Sequence, residues 1–209
     1  WVQHTIPEVI LRQWEKSLAG ERITLSALVT AAWAITVQRH AGAAETVVGL
    51  TNASRPLDLP GATQHVGVYV DVAPLRLAPP EGVTVRQWLH EVQQQSRAVM
   101  EHSFSGDREL PKSPDSVGVP LLQNSVVLQN SLQDGDAWNH FADLRIDSVD
   151  FFVRTGVPIM LMAFTHQGLR LRCIFDPYRV ERSVAQKFLD HFIVVLRAMA
   201  EAPETLVNE

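Results

Sequence analysis

A layered α/β fold, a mixed sheet with packed helices, is predicted by three observations. Apolar residues recur at helical spacing over 7–18, 24–41, 84–101 and 181–201. Short runs rich in aliphatic and β-branched residues lie between them, at 45–51, 65–77, 121–130, 157–164 and 168–175. Their order is two helices, two strands, a helix, several strands and a last helix, the pattern of a mixed layered domain.

The first helix is predicted over 7–18, with Pro7 at a compatible first position, Val9, Ile10, Trp14 and Leu18 in register, and Gly20 ending it. Before it, the first residues read as extended chain. The second helix, 24–41, has Thr24 or Ser26 as a cap and Gly42 as a stop. Leu25, Leu28, Val29, Ala32, Trp33, Ile35 and Val37 make it apolar nearly all round, so it belongs inside the molecule.

A strand is expected at 45–51, followed by a loop whose prolines and glycine forbid regular structure. HVGVYVDVAPLRL, 65–77, alternates with period two. Val66, Val68, Val70 and Val72 share one face, and Gly67, Tyr69, Asp71 and Ala73 the other, more polar one. Thr84 opens an amphipathic helix to about 101, with Val85, Trp88, Leu89, Val92 and Val99 as its apolar stripe.

The stretch 103–120 carries three prolines and two glycines, a long excursion of the kind found where a loop has a task. Strand character returns at 121–130, at 142–154, and at 157–164, where a near-continuous apolar run suits a strand covered on both faces. A further strand is expected at 168–175. The last helix, 181–201, aligns Val184, Phe188, Phe192, Val195 and Met199, and Pro203 lies beyond its end.

Composition narrows the function classes. With 209 residues, 46% hydrophobic and 20% charged, the chain can bury a core and lacks the signature of disorder. Its net charge of -5 is spread without a basic stripe, so nucleic acid is not an expected partner. No run reaches the length of a membrane span, and the start WVQHTIPEV lacks a signal-peptide pattern, so a cytoplasmic location is expected. The chain begins on Trp1 and not on Met, which reads as a cut through a longer polypeptide.

The single Cys173 can build neither a disulfide framework nor a thiolate site and reads as a small buried hydrophobe. Eight histidines are scattered without metal-ligand spacing, so no metal site is expected. There is no GxGxxG, GxxxxGK[ST] or GxSxG motif, and the Asp107 and Glu109 pair reads as a solvated loop.

Three segments resemble the condensation domains of nonribosomal peptide synthetases, two-lobed relatives of chloramphenicol acetyltransferase. TLSALVTAAWAITVQRHAG running into ETVVGLTNASRP is similar to that family's helix, strand and Gly-Arg-Pro turn, with Ser54 where Gly is usual. HVGVYVDVAPLRL is similar to its V-G-x-F-x-N-T-x-P-x-R strand, with Asp71 where Asn is usual. VPLLQNSVVLQN resembles its N-P-L-x-x-x-x-x-x-L-Q-N strand, and the final helix with PETLV falls where the family's last helix does. The acidic-aromatic stretch expected around His102 is reduced to HSFSGDRELP.

The resemblance implies a chloramphenicol acetyltransferase-like lobe, residues 1–209 being the C-terminal lobe of a condensation domain. It implies amide formation between donor and acceptor thioesters carried on phosphopantetheine arms by peptidyl carrier proteins that dock at the two ends of an interlobe tunnel. No cofactor is expected to bind this chain directly. The family's H-H-x-x-x-D-G motif belongs to the N-terminal lobe and is absent from this sequence, so no catalytic residue is expected here and the chain alone is expected to be inactive. The alternative is a degenerate, non-catalytic module that recruits a tailoring enzyme or carrier protein; the histidine motif of the parent gene discriminates the two.

Ala53, Ser54, Tyr69 and Asp71 are expected to line the tunnel. Arg55, just before Pro56, is expected to brace its turn by pairing with a carboxylate. Asn124, Gln129 and Asn130 are expected either to satisfy backbone groups on a cleft strand or, as the preferred reading, to cap its ends. The partners expected are the N-terminal lobe, the two carrier proteins and, for the severed lobe, a second copy of itself through the apolar surface left uncovered.

Overall fold

The computed structural model describes residues 1–53, 61, 64–101, 120–129, 156–165 and 167–208. Its elements are β1 (Val2–Ile6), α1 (Glu8–Gly20), α2 (Leu25–Ala41), β2 (Thr46–Ala53), β3 (Val70–Leu77), α3 (Val85–Glu101), β4 (Asn124–Gln129), β5 (Ile159–Phe164), β6 (Leu169–Phe175) and α4 (Arg182–Glu201). The expected stretches 103–120 and 142–154 lie outside the described residues, apart from Pro120.

The six strands form one mixed sheet in the order β1-β6-β5-β4-β2-β3. β2, β4 and β5 run parallel, and β1, β6 and β3 run antiparallel to their neighbours. The register places Val48, Leu50, Leu75, Leu77, Val126, Leu161, Leu171 and Val2 on one face. All of them share a single core with the buried stripes of the four helices. α2 is the centre of that layer, packed against α3, α4, β2 and β4.

Local chemistry explains the helix ends. The Thr24 hydroxyl accepts the Ala27 N–H at 3.2 Å and starts α2. Gly42, at φ 62°, lets the chain turn so that the N–H groups of Gly42 and Ala43 return to Arg39 O and Gln38 O. Thr84 and Gln87 form a reciprocal capping box at the start of α3, each side chain accepting from the other's backbone N–H at 3.3 and 2.9 Å. Residues 27–36 of α2 are all buried, as an all-round apolar helix requires.

Several elements differ from expectation. The extended first residues form a strand, β1, at the sheet edge beside β6. The expected strand 65–77 begins only at Val70, which the register sets opposite Ala53, the last described residue of β2. Its core face is also the other one: Ala73, Leu75 and Leu77 are buried, while Val66, Val68 and Val70 are exposed. Likewise the strand expected from 121 begins at Asn124, with Leu121 exposed. On α4 the buried stripe is Ala185, Leu189, Phe192, Leu196 and Met199, one position round from Val184, Phe188 and Val195.

β5 is buried on both faces, as its unbroken apolar run predicts. Cys173 is fully buried against the helix layer; burial pushes its thiol up to about 12, against a smaller downward pull from the N-terminal amine, so it is an inert hydrophobe. Among the described residues no single helix is long and apolar enough to cross a membrane.

Candidate functional site

Parallel strands place ligand sites at their carboxyl ends, because neighbouring connections diverge there and leave a crevice. In this sheet that end is formed by β2, β4 and β5. The β2–β3 ladder continues to Ala53 opposite Val70, and the β4–β5 ladder to Gln129 opposite Phe164. Between β2 and β4, however, only Gly49 with Ser125 and Leu50 with Val126 are paired among the described residues. Beyond Leu50 and Val126 the sheet therefore parts into two laddered halves, joined at a two-residue seam.

That seam is held from the helix side. Asn124 is buried; its Oδ1 accepts the Trp33 indole N–H at 3.0 Å and its Nδ2 donates to Val47 O at 2.9 Å. One side chain thus ties β4 to β2 and to the central helix. Trp33 is in turn fixed by Phe192, edge-on at 5.9 Å between centroids, and by Phe188 at 6.2 Å. Asn124 therefore satisfies backbone and side-chain partners inside the sheet and does not cap a strand end. Gly49 makes the seam possible: a Cβ there would stand 2.8 Å from Val72 Cγ1 and 3.1 Å from both Asn124 O and Ser125 Cβ.

Three of the sequence-predicted site residues lie near the parted end without sharing a face: Ala53 is on the face of its partner Val70, and Asp71 is on the opposite, helix-side face. The register sets Ala53 opposite Val70, between Tyr69 and Asp71. Tyr69 is half-buried just ahead of β3, with its hydroxyl 3.3 Å from His65 Nδ1. Asp71 is half-buried opposite Asn52, and its Oδ1 accepts the Val72 N–H at 2.8 Å. The anion thus takes a backbone donor, which lowers the cost of its partial burial. Asp71 lies on the side of β3 that continues into Ala73, Leu75 and Leu77, toward the helices. Ser54, Arg55, His102, Asp107, Glu109 and Asn130 lie outside the described residues.

A cavity of about 420 Å³ opens below the same end of the sheet, between Glu15 of α1, the first turn of α2, and α3, and it reaches Leu128 near the end of β4 and Thr165 just after β5. Its hydroxyl-bearing residues are Thr24, Ser26, Ser96 and Thr165, and its charged ones Glu15 and Arg97. Gln93 holds the wall in place, accepting the Thr24 N–H at 2.7 Å and donating to Arg22 O at 2.9 Å. Tyr69 and Asp71 do not line this cavity, and its wall was not singled out in the sequence, because its residues come from three helices and two strand ends.

The arrangement can position and enclose a ligand. Among the described residues, no three His, Cys, Asp or Glu side chains gather as a metal centre.

Comparison with known proteins places these features. The family model described as Condensation domain matches residues 2–209. One of the linear gramicidin synthase proteins of Brevibacillus parabrevis is 31% identical over 183 residues, 87% of this chain and 4% of that protein. Chondramide synthase cmdD of Chondromyces crocatus is 25% identical over 194 residues, 92% of this chain and 5% of that protein. Among solved structures, a four-domain nonribosomal peptide synthetase bound to AMP and glycine superposes with TM-score 0.80 at 18% identity, covering 99% of this chain and 17% of that one. The condensation domain of the Monacolin K polyketide synthase MokA gives 0.77 at 15% identity, covering 99% of this chain and 48% of that domain's chain. The first condensation domain of the calcium-dependent antibiotic synthetase, with a substrate analogue, gives 0.74 at 19%, covering 100% and 45%. The chain thus spans a few per cent of these curated relatives and just under half of the two structures of condensation domains.

Proposed function

Since this chain belongs to the condensation-domain family, we propose that it is the C-terminal lobe of a nonribosomal peptide synthetase condensation domain, one wall of the tunnel in which an amide forms between carrier-bound donor and acceptor thioesters. The observation that carries this reading is a paired one. The chain aligns along its whole length with solved condensation domains yet spans only 45–48% of them, and its sequence holds no H-H-x-x-x-D-G.

On this reading the general base belongs to the other lobe, and the work of this lobe is placement. Holding two reactants in attack geometry is itself a large part of lowering a bimolecular barrier. On this reading Tyr69 and Asp71, at the start of β3, border the space that encloses an acceptor, and Ala53 lies at the neighbouring end of β2. The phosphopantetheine arms arrive on donor and acceptor carrier proteins, and no cofactor is held by this chain. The reading also carries the N-terminal lobe as obligate partner, self-association of the chain when severed from it, and the cytoplasm as its location.

Replacing Tyr69 by Ala in the complete two-lobed domain is expected to change condensation rates unequally across acceptors, by up to about tenfold between a small and a bulky amine. Product formation on the carriers, followed by mass spectrometry, reads this directly. A proportional loss with every acceptor, together with a lowered melting temperature, would assign Tyr69 to packing alone.

A further inference from the structure

His40 lies in the last turn of α2 and His191 within α4, and these two helices are packed against one another. His191 Nδ1 and His40 Nε2 face each other at 2.9 Å, with ring centroids 4.9 Å apart. Phe188, less than one turn before His191 on α4, stacks on the His40 ring at 3.8 Å and 18°, which fixes the plane of that imidazole.

Two imidazole nitrogens can face each other at hydrogen-bond distance only if one is a lone pair. Burial first, and then the neighbouring His191, hold the His40 imidazole below its ordinary value, so the neutral form is favoured. Bonds of about 2.0–2.1 Å set the two nitrogens about 2.9 Å apart at the right angle of tetragonal copper(II) or nickel(II), which is the separation already present, and about 3.3 Å apart at the tetrahedral angle of zinc, which a small turn of the exposed His191 ring supplies. Both side chains are exposed, so the remaining coordination positions open to solvent.

We propose that His40 and His191 form a two-nitrogen site for a divalent transition metal that clamps the end of α2 to α4. Imidazole donors select zinc, copper or nickel over magnesium and calcium, which prefer oxygen. Binding needs no outside reactant. The ring that donates the hydrogen bond moves its proton to its far nitrogen, both facing lone pairs bind the metal, and no net proton is released when both rings begin neutral. The sequence concealed the pair because the two histidines are 151 residues apart and neither has a ligand-spaced neighbour on its own helix.

The test uses the complete two-lobed domain and its His40→Gln, His191→Ala and double variants, titrated with zinc at pH 7.5 by calorimetry and melted with and without zinc. Copper(II) paramagnetic resonance supplies the ligand signature. His40→Gln keeps a side chain that can hydrogen-bond His191, so it separates packing from ligation. The expected result is one zinc equivalent in the parent that is lost in each single variant. The double variant should lose no more than either single one. Zinc should raise the melting temperature only in the parent, and copper should show nitrogen coupling that diminishes in both variants. Equal uptake and equal coupling in parent and single variants would place binding on other groups and overturn the proposal, as would no uptake by the parent.

Discussion

Replacing Trp33 by Ala is expected to cost about 3–5 kcal/mol, the range for deleting a large aromatic from a core, and to lower the melting temperature by on the order of 10 °C for a domain of this size. Trp33 is fully buried at the centre of the helix layer, where it meets Phe188 and Phe192. Its loss also strands Asn124 Oδ1, which accepts the indole N–H beneath the sheet. Trp33→Phe separates the two effects. It keeps most of the apolar contact but removes the donor, so about 1–3 kcal/mol should be lost from the unsatisfied amide oxygen together with the smaller ring. Chemical denaturation of the parent domain and both variants gives the comparison. If Phe proved as stable as Trp, the link from α2 to the β2–β4 seam would be of no energetic consequence.

Gly49→Ala is expected to destabilise by about 1–3 kcal/mol through overpacking, although the change adds only one methyl. The added Cβ meets Val72 Cγ1 at 2.8 Å, and that side chain can yield. It also meets the Asn124 carbonyl oxygen at 3.1 Å, and that backbone cannot move without disturbing the two paired positions that join β2 to β4. Adding Val72→Ala to Gly49→Ala should therefore restore part of the loss and not all of it. Full rescue would show that the seam is looser than two pairs and a bare glycine imply; no rescue would place the whole strain on the backbone.

Much of this fold could be read from the chain. Thr24, Gly42 and Thr84 announce helix ends because capping is chemistry of neighbours in sequence. The apolar run of β5 announces a central strand for the same reason. What escaped depends on partners far along the chain. Both faces of HVGVYVDVAPLRL carry apolar residues, so alternation alone could not say which faces the core. On α4 the apolar residues cover more than one stripe, and the small Ala185, a weak hydrophobic signal, is fully buried.

The site divides in the same way. Ala53, Tyr69 and Asp71 were singled out through the family resemblance, and the register sets Ala53 opposite Val70, which lies between the other two in sequence. For Asn124 a bond to strand backbone was the less favoured of two readings, and its partners Trp33 and Val47, 91 and 77 residues away, could not be read at all. The cavity wall of Gln93, Ser96 and Arg97 reads in sequence as the wet side of an amphipathic helix.

The measurement that bears most directly on the central claim is amide formation by this chain alone beside its two-lobed parent, with loaded donor and acceptor carrier proteins and mass spectrometry of the carrier-bound products. The chain alone should give no product above the rate without enzyme, and the parent, if its histidine motif is intact, should give the condensed product. Amide formed by residues 1–209 without the other lobe would contradict the account, since the catalytic base would then have to lie within this half.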